Sequence, residues 1–233
     1  MASRTQPNAA VLWTGGKDSY LSLLAVRDRL RITRLVTFAP HPPRPFLAHP
    51  LALMTAQARS LGIEHVIARV EGPPAEAYER AIDSLADQGI EVLVTGDMDQ
   101  VAGHDNWIEA RARGRARVER PLWKADRAAV LRSLLDYGIE AVCTLARKDS
   151  FEETIAGRRL DAALVDELLA RNGHEGFDAC GENGEYHTCV LDGPGFAQRL
   201  QLLGIEAAET DGFHHITVDA VVPTDRSPNA RSQ

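Results

Sequence analysis

Short apolar runs alternate with longer segments of helical spacing over the first half of the chain. The first run, 9–14 (AAVLWT), is apolar throughout, as expected of a parallel strand that is buried on both faces. Gly15 and Gly16 end this run, and apolar residues at helical spacing then predict a helix over 18–30. The alternation predicts a parallel sheet whose strands are connected by helices.

Four further strands and three further helices are predicted before residue 123. The strands are expected at 34–39, 65–70, 91–95 and 116–122, and the helices at 51–61, 74–87 and 105–113. Residues 41–50 carry four prolines, which predict a loop because proline fixes φ and lacks a backbone donor. Five such strands with their helices predict an α/β fold with a doubly wound five-stranded parallel sheet of the nucleotide-binding type.

The second half of the chain has a different pattern. Helices are predicted at 127–137 and 161–170, and strands at 141–146 and 214–222. Glycine and polar residues are concentrated in 181–196 (GENGEYHTCVLDGPGF), and 223–233 is polar enough to predict a frayed tail. We therefore expect a first domain over 1–122 and a smaller C-terminal α/β domain over 123–222.

The composition excludes several classes of protein. A chain that is 44% hydrophobic and 25% charged is typical of a globular domain. It contains no apolar run of about 18 residues, and its start (MASRTQPNAA) has no apolar segment, so neither a transmembrane helix nor a secretory signal is predicted. Three cysteines without a CxxC pair predict no disulfide framework and indicate a reducing, cytoplasmic compartment.

The charge pattern does not favour general binding to polyanions, because the formal net charge is −7. One basic stretch departs from this balance. It consists of Arg111, Arg113, Arg115, Arg117 and Arg120. A solvated face is the usual meaning of such a run, so RNA is not the expected partner, and contact with phosphate or RNA stays the alternative.

The segment TGGKDS, residues 14–19, connects the first strand to the first helix and has the properties of an anion site. It matches neither GxxxxGK[ST] nor GxGxxG. Gly15 and Gly16 allow the backbone to approach a ligand with its N–H groups turned inward. The helix that begins at Asp18 adds unsatisfied N–H groups and the positive end of its dipole.

A helix end alone contributes about 0.3–1 kcal/mol per anionic contact, and about 2 kcal/mol at most, which is too little to hold a triphosphate. The hydroxyls of Thr14 and Ser19 and the charge of Lys17 add to it. Mg²⁺ is therefore expected as well, with Asp18 and Asp97 as its oxygen ligands. The alternative is a tight turn in which the glycines serve only the backbone geometry.

Two other strand ends are candidates for the nucleotide site, because open α/β sheets bind ligands at the carboxyl ends of their strands. Gly96 and Asp97 follow the fourth predicted strand, where a plain turn is the alternative. Phe38 and Ala39 end the second predicted strand and are expected to lie against adenine.

The second polar motif, GENGEYHT over 181–188, predicts a substrate site. Glu182 or Glu185 would bind an amine or Mg²⁺, and His187 would take the proton that attacking ammonia loses. The alternative is a β-hairpin that turns at Asn183 and Gly184, since Asn-Gly is a strong hairpin signal.

These motifs resemble those of a known family. TGGKDS resembles the SGGxDS pyrophosphate loop of the ATP pyrophosphatases, within the adenine nucleotide alpha hydrolase-like superfamily, with threonine in place of the first serine. Within that group the chain resembles the diphthine–ammonia ligase (diphthamide synthetase) family. Four stretches carry the resemblance: WTGGKDSYLSLL at 13–24, VTGDMD at 94–99, RPLWKADRAAVL at 120–131 and CGENGEYHTCVLDGPGF at 180–196. The last stretch is the most specific, because the loop alone fits many enzymes.

The resemblance implies a HUP/PP-loop ATPase-like ATP-binding domain over 1–122 and a substrate domain over 123–222 that carries GENGEYHT. It implies ATP and Mg²⁺, with an acceptor carboxylate that is adenylated, releases pyrophosphate and forms an amide with ammonia. In that family the acceptor is diphthine on translation elongation factor 2. The residues assigned to the reaction are Lys17, Asp18, Glu182, Glu185 and His187.

Two other functions stay open at this stage. An RNA-modifying member of the same superfamily would use the arginine stretch to hold its substrate. A non-catalytic adenine-nucleotide-binding protein would bind ATP or AMP without turnover. The sequence by itself does not identify the acceptor carboxylate, the nitrogen donor or the oligomeric state, and a homodimer also stays open.

Overall fold

The computed structural model describes residues 6–42, 46–100 and 107–226. In chain order, its strands are β1 (Asn8–Leu12), β2 (Arg31–Pro40), β3 (Glu64–Val70), β4 (Val92–Val94), β5 (Arg117–Glu119), β6 (Glu140–Arg147), β7 (Tyr186–Asp192), β8 (Arg199–Leu203), β9 (Glu206–Thr210), β10 (Phe213–Thr217) and β11 (Ala220–Thr224). Its α-helices are α1 (Lys17–Val26), α2 (Leu51–Leu61), α3 (Pro74–Asp87), α4 (Trp107–Ala112), α5 (Arg127–Asp136) and α6 (Ala162–Arg171).

The chain divides into two compact units. The first takes residues up to 14, 18–45 and 63–124, and the second takes 15–17, 46–62 and the residues from 125 onward. The domain boundary expected between residues 122 and 123 stays a prediction.

The first unit contains the predicted parallel sheet, which is confirmed. Its five strands are all parallel and follow the order β3-β2-β1-β4-β5. The helices predicted at 51–61 and 74–87 match α2 and α3, whereas β4 and β5 are shorter than expected, with three residues each. The start of the helix predicted at 105–113 lies outside the described residues.

The centre of this sheet explains why its strands read as apolar runs. In β1, Val11 pairs with Leu35 of β2 on one side and with Val94 of β4 on the other, and all three side chains are buried. The chain passes from β1 to β2 and β3 on one side, and places β4 and β5 on the other. At such a reversal the carboxyl ends of adjacent strands open a crevice in which α/β sheets bind ligands.

The second unit contains antiparallel sheets, which the sequence analysis did not predict. Four strands follow the order β7-β6-β10-β9, and β11 pairs separately with β8. The strand predicted at 214–222 is wrong as a single element, because its first part pairs with β6 and β9 and its last part pairs with β8. β8 and β9 were missed because both are only five residues long, RLQLL is interrupted by polar residues, and EAAET carries just two apolar residues, both alanine.

The C-terminal strand β11 extends to Thr224, two residues into the predicted tail. Arg226 is also fixed, since its Nη1 donates to Phe196 O at 3.0 Å. Residues 227–233 of the predicted tail lie outside the described residues. None of the helices in the described ranges has both the length and the apolar character needed to span a bilayer.

Candidate active site

The end of β1 is fixed in the first unit by hydrogen bonds to β2. Trp13 N donates to Val36 O (2.7 Å), and Thr37 Oγ1 donates to Trp13 O (2.6 Å). The next residue, Thr14, is exposed, and its hydroxyl donates to Ser19 Oγ at 3.3 Å. The two hydroxyls predicted to bind phosphate therefore lie next to each other where the chain enters α1.

Gly96 brings the end of β4 against the first turn of α1. A Cβ atom at this position would lie 2.8 Å from both Asp18 C and Ser19 N, so a larger residue would force the two backbones apart. Asp97 is half-buried, and its carboxylate accepts a 2.7 Å hydrogen bond from Thr95 Oγ1. The structure thus brings the segments that carry Asp18 and Asp97, the two predicted Mg²⁺ ligands, together at one edge of the sheet.

The donor chemistry of this edge fits Mg²⁺. Asp18 and Asp97 are half-buried carboxylates, and Mg²⁺ prefers oxygen ligands. Over 6–42, 46–100 and 107–226, no group of three or more His, Cys, Asp or Glu residues could hold a metal ion. Since Mg²⁺ is usually bound by one or two carboxylates together with substrate phosphates, this donor set fits an ion that arrives with a nucleotide.

Residues 15–17 belong to the second unit, where Gln57 of α2 holds Gly15. The Gln57 amide donates from Nε2 to Gly15 O (2.8 Å) and to Val190 O (2.7 Å). Gly15 has a φ of +73°, and a Cβ atom there would collide with the Gln57 amide, so only glycine fits. Sequence reasoning missed Gln57, and the one available signal was a polar residue on the buried face of α2, three positions after Met54.

Lys17 is 2% exposed, and its charge is satisfied within the second unit. Its Nζ donates to Cys180 O at 2.5 Å and lies 5.3 Å from the centroid of the Tyr186 ring. Its backbone N–H donates to Thr188 Oγ1 at 3.1 Å. Lys17 therefore connects residues 15–17 to Cys180, which precedes the GENGEYHT motif, and to Thr188, which ends it. The predicted contact of Lys17 with phosphate stays a prediction.

Glu185 is 1% exposed, and backbone donors engage both of its carboxylate oxygens. Asp178 N donates to Oε1 at 2.8 Å, and Asn183 N donates to Oε2 at 3.0 Å. These contacts indicate that Glu185 shapes the 178–185 loop, whereas its predicted role in the reaction stays a prediction.

The alternative interpretation of the motif as a β-hairpin is wrong. Residues 181–185 form turns, β7 begins only at Tyr186, and β7 pairs with β6. Gly181 has a φ of +82°, and a Cβ atom there would lie 2.8 Å from Tyr186 O. The two-residue turn was the wrong model because the backbone donors before Tyr186 bind the Glu185 carboxylate and not a partner strand.

Arg127 lies beside the 178–185 loop, and sequence reasoning missed this contact. The sequence indicated Arg127 as the start of a helix and as part of the RPLWKADRAAVL stretch, without a partner. Its Nη2 and Nε lie 2.8 and 2.9 Å from Asp178 Oδ2. Desolvation alone would lower the pKa of Arg127, but the hydrogen bond and charge of Asp178 raise it, and the charge of Glu182 adds to this. Glu182 is half-buried, whereas Glu185 is buried.

His187 lies on β7, half-buried, beside a histidine that was not predicted. The rings of His187 and His49 meet edge to face, with centroids 5.1 Å apart. Burial lowers the pKa of His49 to about 3, with smaller contributions from the charges of His187 and Lys17, so His49 is neutral at physiological pH. Burial also raises the pKa of the Cys189 thiol to about 12, which makes it unsuited to act as a thiolate nucleophile.

Phe38 lies within an aromatic cluster of the first unit. Its ring centroid is 5.2 Å from that of Tyr78 and 6.2 Å from that of Trp107, and the last two are 4.3 Å apart. Trp107 is 45% exposed, and Ala39 is buried. The predicted contact of Phe38 and Ala39 with adenine is not tested by these contacts and stays a prediction.

The arginine stretch is largely neutralised by carboxylates of the first unit. The pairs are Arg111–Glu79 (2.8 Å), Arg115–Asp83, Arg117–Glu119 (2.9 Å) and Arg120–Glu109 (2.5 Å). Such pairing reduces the positive charge that a phosphate backbone would meet.

Comparisons with known proteins identify both halves of the chain. The family model for the diphthamide synthase N-terminal domain matches residues 7–115, and that for the diphthamide synthase C-terminal domain matches 126–222. A diphthine–ammonia ligase of Schizosaccharomyces pombe is 33% identical over 88 residues, which are 38% of this chain and 14% of that protein. A solved structure described as a predicted subunit of tRNA methyltransferase from Methanocaldococcus jannaschii has a TM-score of 0.46 and 16% identity, and covers 81% of this chain and 98% of its own. Since the two domain models match in chain order and leave only short segments unmatched, the chain belongs to the diphthamide synthase family.

Proposed function

We propose that this chain is an ATP-dependent ligase that joins ammonia to a carboxylate, with the carboxylate of diphthine on elongation factor 2 as the acceptor. Membership of the diphthamide synthase family supports the reaction, and the name of the S. pombe relative, diphthine–ammonia ligase, supports diphthine and ammonia as the substrates. The observation that carries the proposal is the packing of Gly96 against Asp18 and Ser19 at the carboxyl ends of β1 and β4. A strand-to-helix turn with carboxylates beside it is suited to a magnesium–nucleotide complex.

The reaction has two steps. An oxygen of the acceptor carboxylate attacks the α-phosphorus of ATP, the bond from that phosphorus to the bridging oxygen breaks, and pyrophosphate leaves. Ammonia then attacks the acyl carbon of the resulting acyl-adenylate, AMP leaves, and the nitrogen loses a proton. The products are the amide, AMP, pyrophosphate and one proton. Adenylation is needed because it replaces a poor leaving group by a good one.

In the first step, the hydroxyls of Thr14 and Ser19 and the N–H groups at the start of α1 orient the phosphates and stabilise the charge of the departing pyrophosphate. Asp18 and Asp97 are the residues that would hold Mg²⁺, which when bound neutralises phosphate charge. Lys17 holds its own segment in shape through its contacts in the second unit.

In the second step, His187 accepts the proton that the attacking nitrogen loses, since histidine is the side chain that most often serves as a general base. Glu182 binds the attacking ammonia by accepting a hydrogen bond from it. Glu185 keeps the loop between them folded through its two backbone hydrogen bonds.

The RNA-modifying alternative receives less support. It depends on the positive charge of the arginine stretch, and four of those arginines pair with carboxylates. A non-catalytic nucleotide-binding protein is distinguished from the ligase by turnover alone.

The test is an assay of products. Purified protein is incubated with ATP labelled at the α-phosphate, Mg²⁺, ammonium and elongation factor 2 that carries diphthine, with Glu182→Gln as the variant. The ligase forms AMP and pyrophosphate in equal amounts, only when carboxylate and ammonium are both present, and Glu182→Gln slows this while leaving ATP binding intact. ADP and phosphate as products would refute attack at the α-phosphorus. ATP binding without turnover on any carboxylate would favour the nucleotide-binding alternative.

A further inference from the structure

Lys124 adopts a backbone conformation that this chain otherwise reserves almost entirely for glycine. Its φ is +57°, and among the described residues only Glu175, with a φ of +51°, is another non-glycine residue with a positive φ. A side chain in this region brings Cβ close to the following carbonyl oxygen, a strain that glycine does not have. Strain of this kind persists where the surroundings enforce it, and it is concentrated at functional sites.

The surroundings of Lys124 hold this backbone conformation in place through the segment that follows β4. The backbone N–H of Lys124 donates to Met98 O at 2.8 Å, and its Nζ forms an ion pair with the Asp99 carboxylate. The Nζ also lies 5.5 Å from the centroid of the Trp123 ring, whose surface is shared with Arg120 at 3.8 Å. Lys124 is therefore joined to two consecutive residues of one short segment, 98–99.

The segment 98–99 directly follows Asp97, one of the two residues assigned to the metal. Asp97 immediately precedes Met98, which is fully buried, and Gly96 is in contact with Asp18. A glycine at position 124 would give the same turn and the same backbone hydrogen bond without strain. The side chain of lysine adds the ion pair to Asp99 and the contact with Trp123, which together fix the segment from its far end.

We propose that Lys124 is a positioning residue for Asp97, and that its ion pair with Asp99, made from a backbone conformation that costs strain, holds the carboxylate of Asp97 where a magnesium–nucleotide complex needs it. The inference rests on the proposed function, since it takes Asp97 as a ligand of Mg²⁺. Partners that orient metal ligands typically change metal affinity by about 10–100-fold when they are removed.

The experiment measures ATP binding by calorimetry over a series of Mg²⁺ concentrations, together with the thermal unfolding midpoint of the ligand-free protein. The variants are Lys124→Gly, which relieves the strain and removes the ion pair, and Lys124→Arg, which restores the charge. Asp99→Asn breaks the same ion pair from the other side without altering the backbone at 124. Glu175→Gly is the matched control, because it relieves a similar φ at an exposed residue of the second unit.

We expect Lys124→Gly to unfold at or above the wild-type temperature and to need about 10 times more Mg²⁺ for half-maximal ATP binding. Asp99→Asn shifts the Mg²⁺ requirement in the same direction, Lys124→Arg restores it to within about threefold, and Glu175→Gly leaves it unchanged. An unchanged requirement in Lys124→Gly and Asp99→Asn overturns the proposal, as does a loss of ATP affinity that is the same with and without Mg²⁺. Wild-type protein that binds no ATP at any Mg²⁺ concentration refutes the proposed function itself.

Discussion

Replacing Glu185 by glutamine tests whether this carboxylate is a structural part of the motif. The wild-type side chain accepts from Asp178 N at 2.8 Å and from Asn183 N at 3.0 Å, one bond to each oxygen, and is 1% exposed. Glutamine has only one acceptor oxygen, so in either orientation its NH₂ group faces a backbone N–H. One charge-assisted bond is lost, a buried donor is left unsatisfied, and the surviving bond loses its charge.

The size of the effect follows from those contacts. A hydrogen bond to a charged group contributes about 1.5–3 kcal/mol, and a buried donor without a partner costs about 1–3 kcal/mol. The two figures partly describe the same loss and do not simply add, so the variant should lose about 2–4 kcal/mol of unfolding free energy. For a chain of this size each kcal/mol lowers Tm by about 2–4 °C, which gives a decrease of about 4–16 °C.

The measurement is thermal unfolding of Glu185→Gln beside Glu182→Gln, a matched control in the same loop. Glu182 is only half-buried, so its variant should keep Tm within about 2 °C of wild type while losing AMP formation. A Glu185→Gln protein that melts together with the wild type would refute the structural role, and equal losses of Tm in both variants would refute the distinction between the two acids.

Three further predictions concern His49, Gly96 and the arginine stretch. His49→Phe should make the free energy of unfolding less dependent on pH between pH 6.5 and 4.5. In this range His49 takes up a proton in the unfolded wild type but not in the folded one. The wild type therefore loses about 1.4 kcal/mol of unfolding free energy per pH unit as the pH falls. Urea midpoints at three pH values measure this, and equal slopes contradict it. Gly96→Ala should weaken ATP binding, because a Cβ at 96 meets the backbone of Asp18 and Ser19 at 2.8 Å. Gly89→Ala should lower Tm through its φ of +85° but leave ATP binding unchanged, because a Cβ there meets nothing within 4 Å. Calorimetry and melting check this, and equal losses of ATP affinity refute it. The affinity for tRNA should be low and should not fall steeply as salt is added. Each phosphate contact would add about 0.9 to the slope of log affinity against log salt concentration, and a steep slope in filter binding would support the RNA alternative.

The parallel sheet could be predicted from the sequence because its strands are buried on both faces. AAVLWT and RLVTFA contain few polar residues, and the glycines and prolines between elements mark where strands end. The antiparallel part gave no comparable signal. β8 is half-exposed with mixed residues, and it is defined by pairing with β11 farther along the chain. β9 forms a hairpin with the next strand, β10, across Asp211 and Gly212, and this Asp-Gly turn signal was missed.

The sequence predicted which residue types the candidate site contains, but it did not predict the contacts between them. The sequence indicated the glycines and acids of TGGKDS and GENGEYHT, because both motifs are too polar for a core. It did not indicate that Gln57 would hold Gly15, since their hydrogen bond joins residues 42 positions apart. It could not separate Glu182 from Glu185 either, because their difference lies in which backbone N–H groups the fold brings to each carboxylate.

Whether residues 14–19 bind the phosphates of ATP can be seen in a crystal structure with Mg²⁺ and a non-hydrolysable ATP analogue. We expect the β- and γ-phosphates to accept hydrogen bonds from the hydroxyls of Thr14 and Ser19 and from the N–H groups at the start of α1, with the metal ion bound by Asp18 and Asp97. Phosphates bound at another part of the chain, while this segment contacts only solvent, would contradict it.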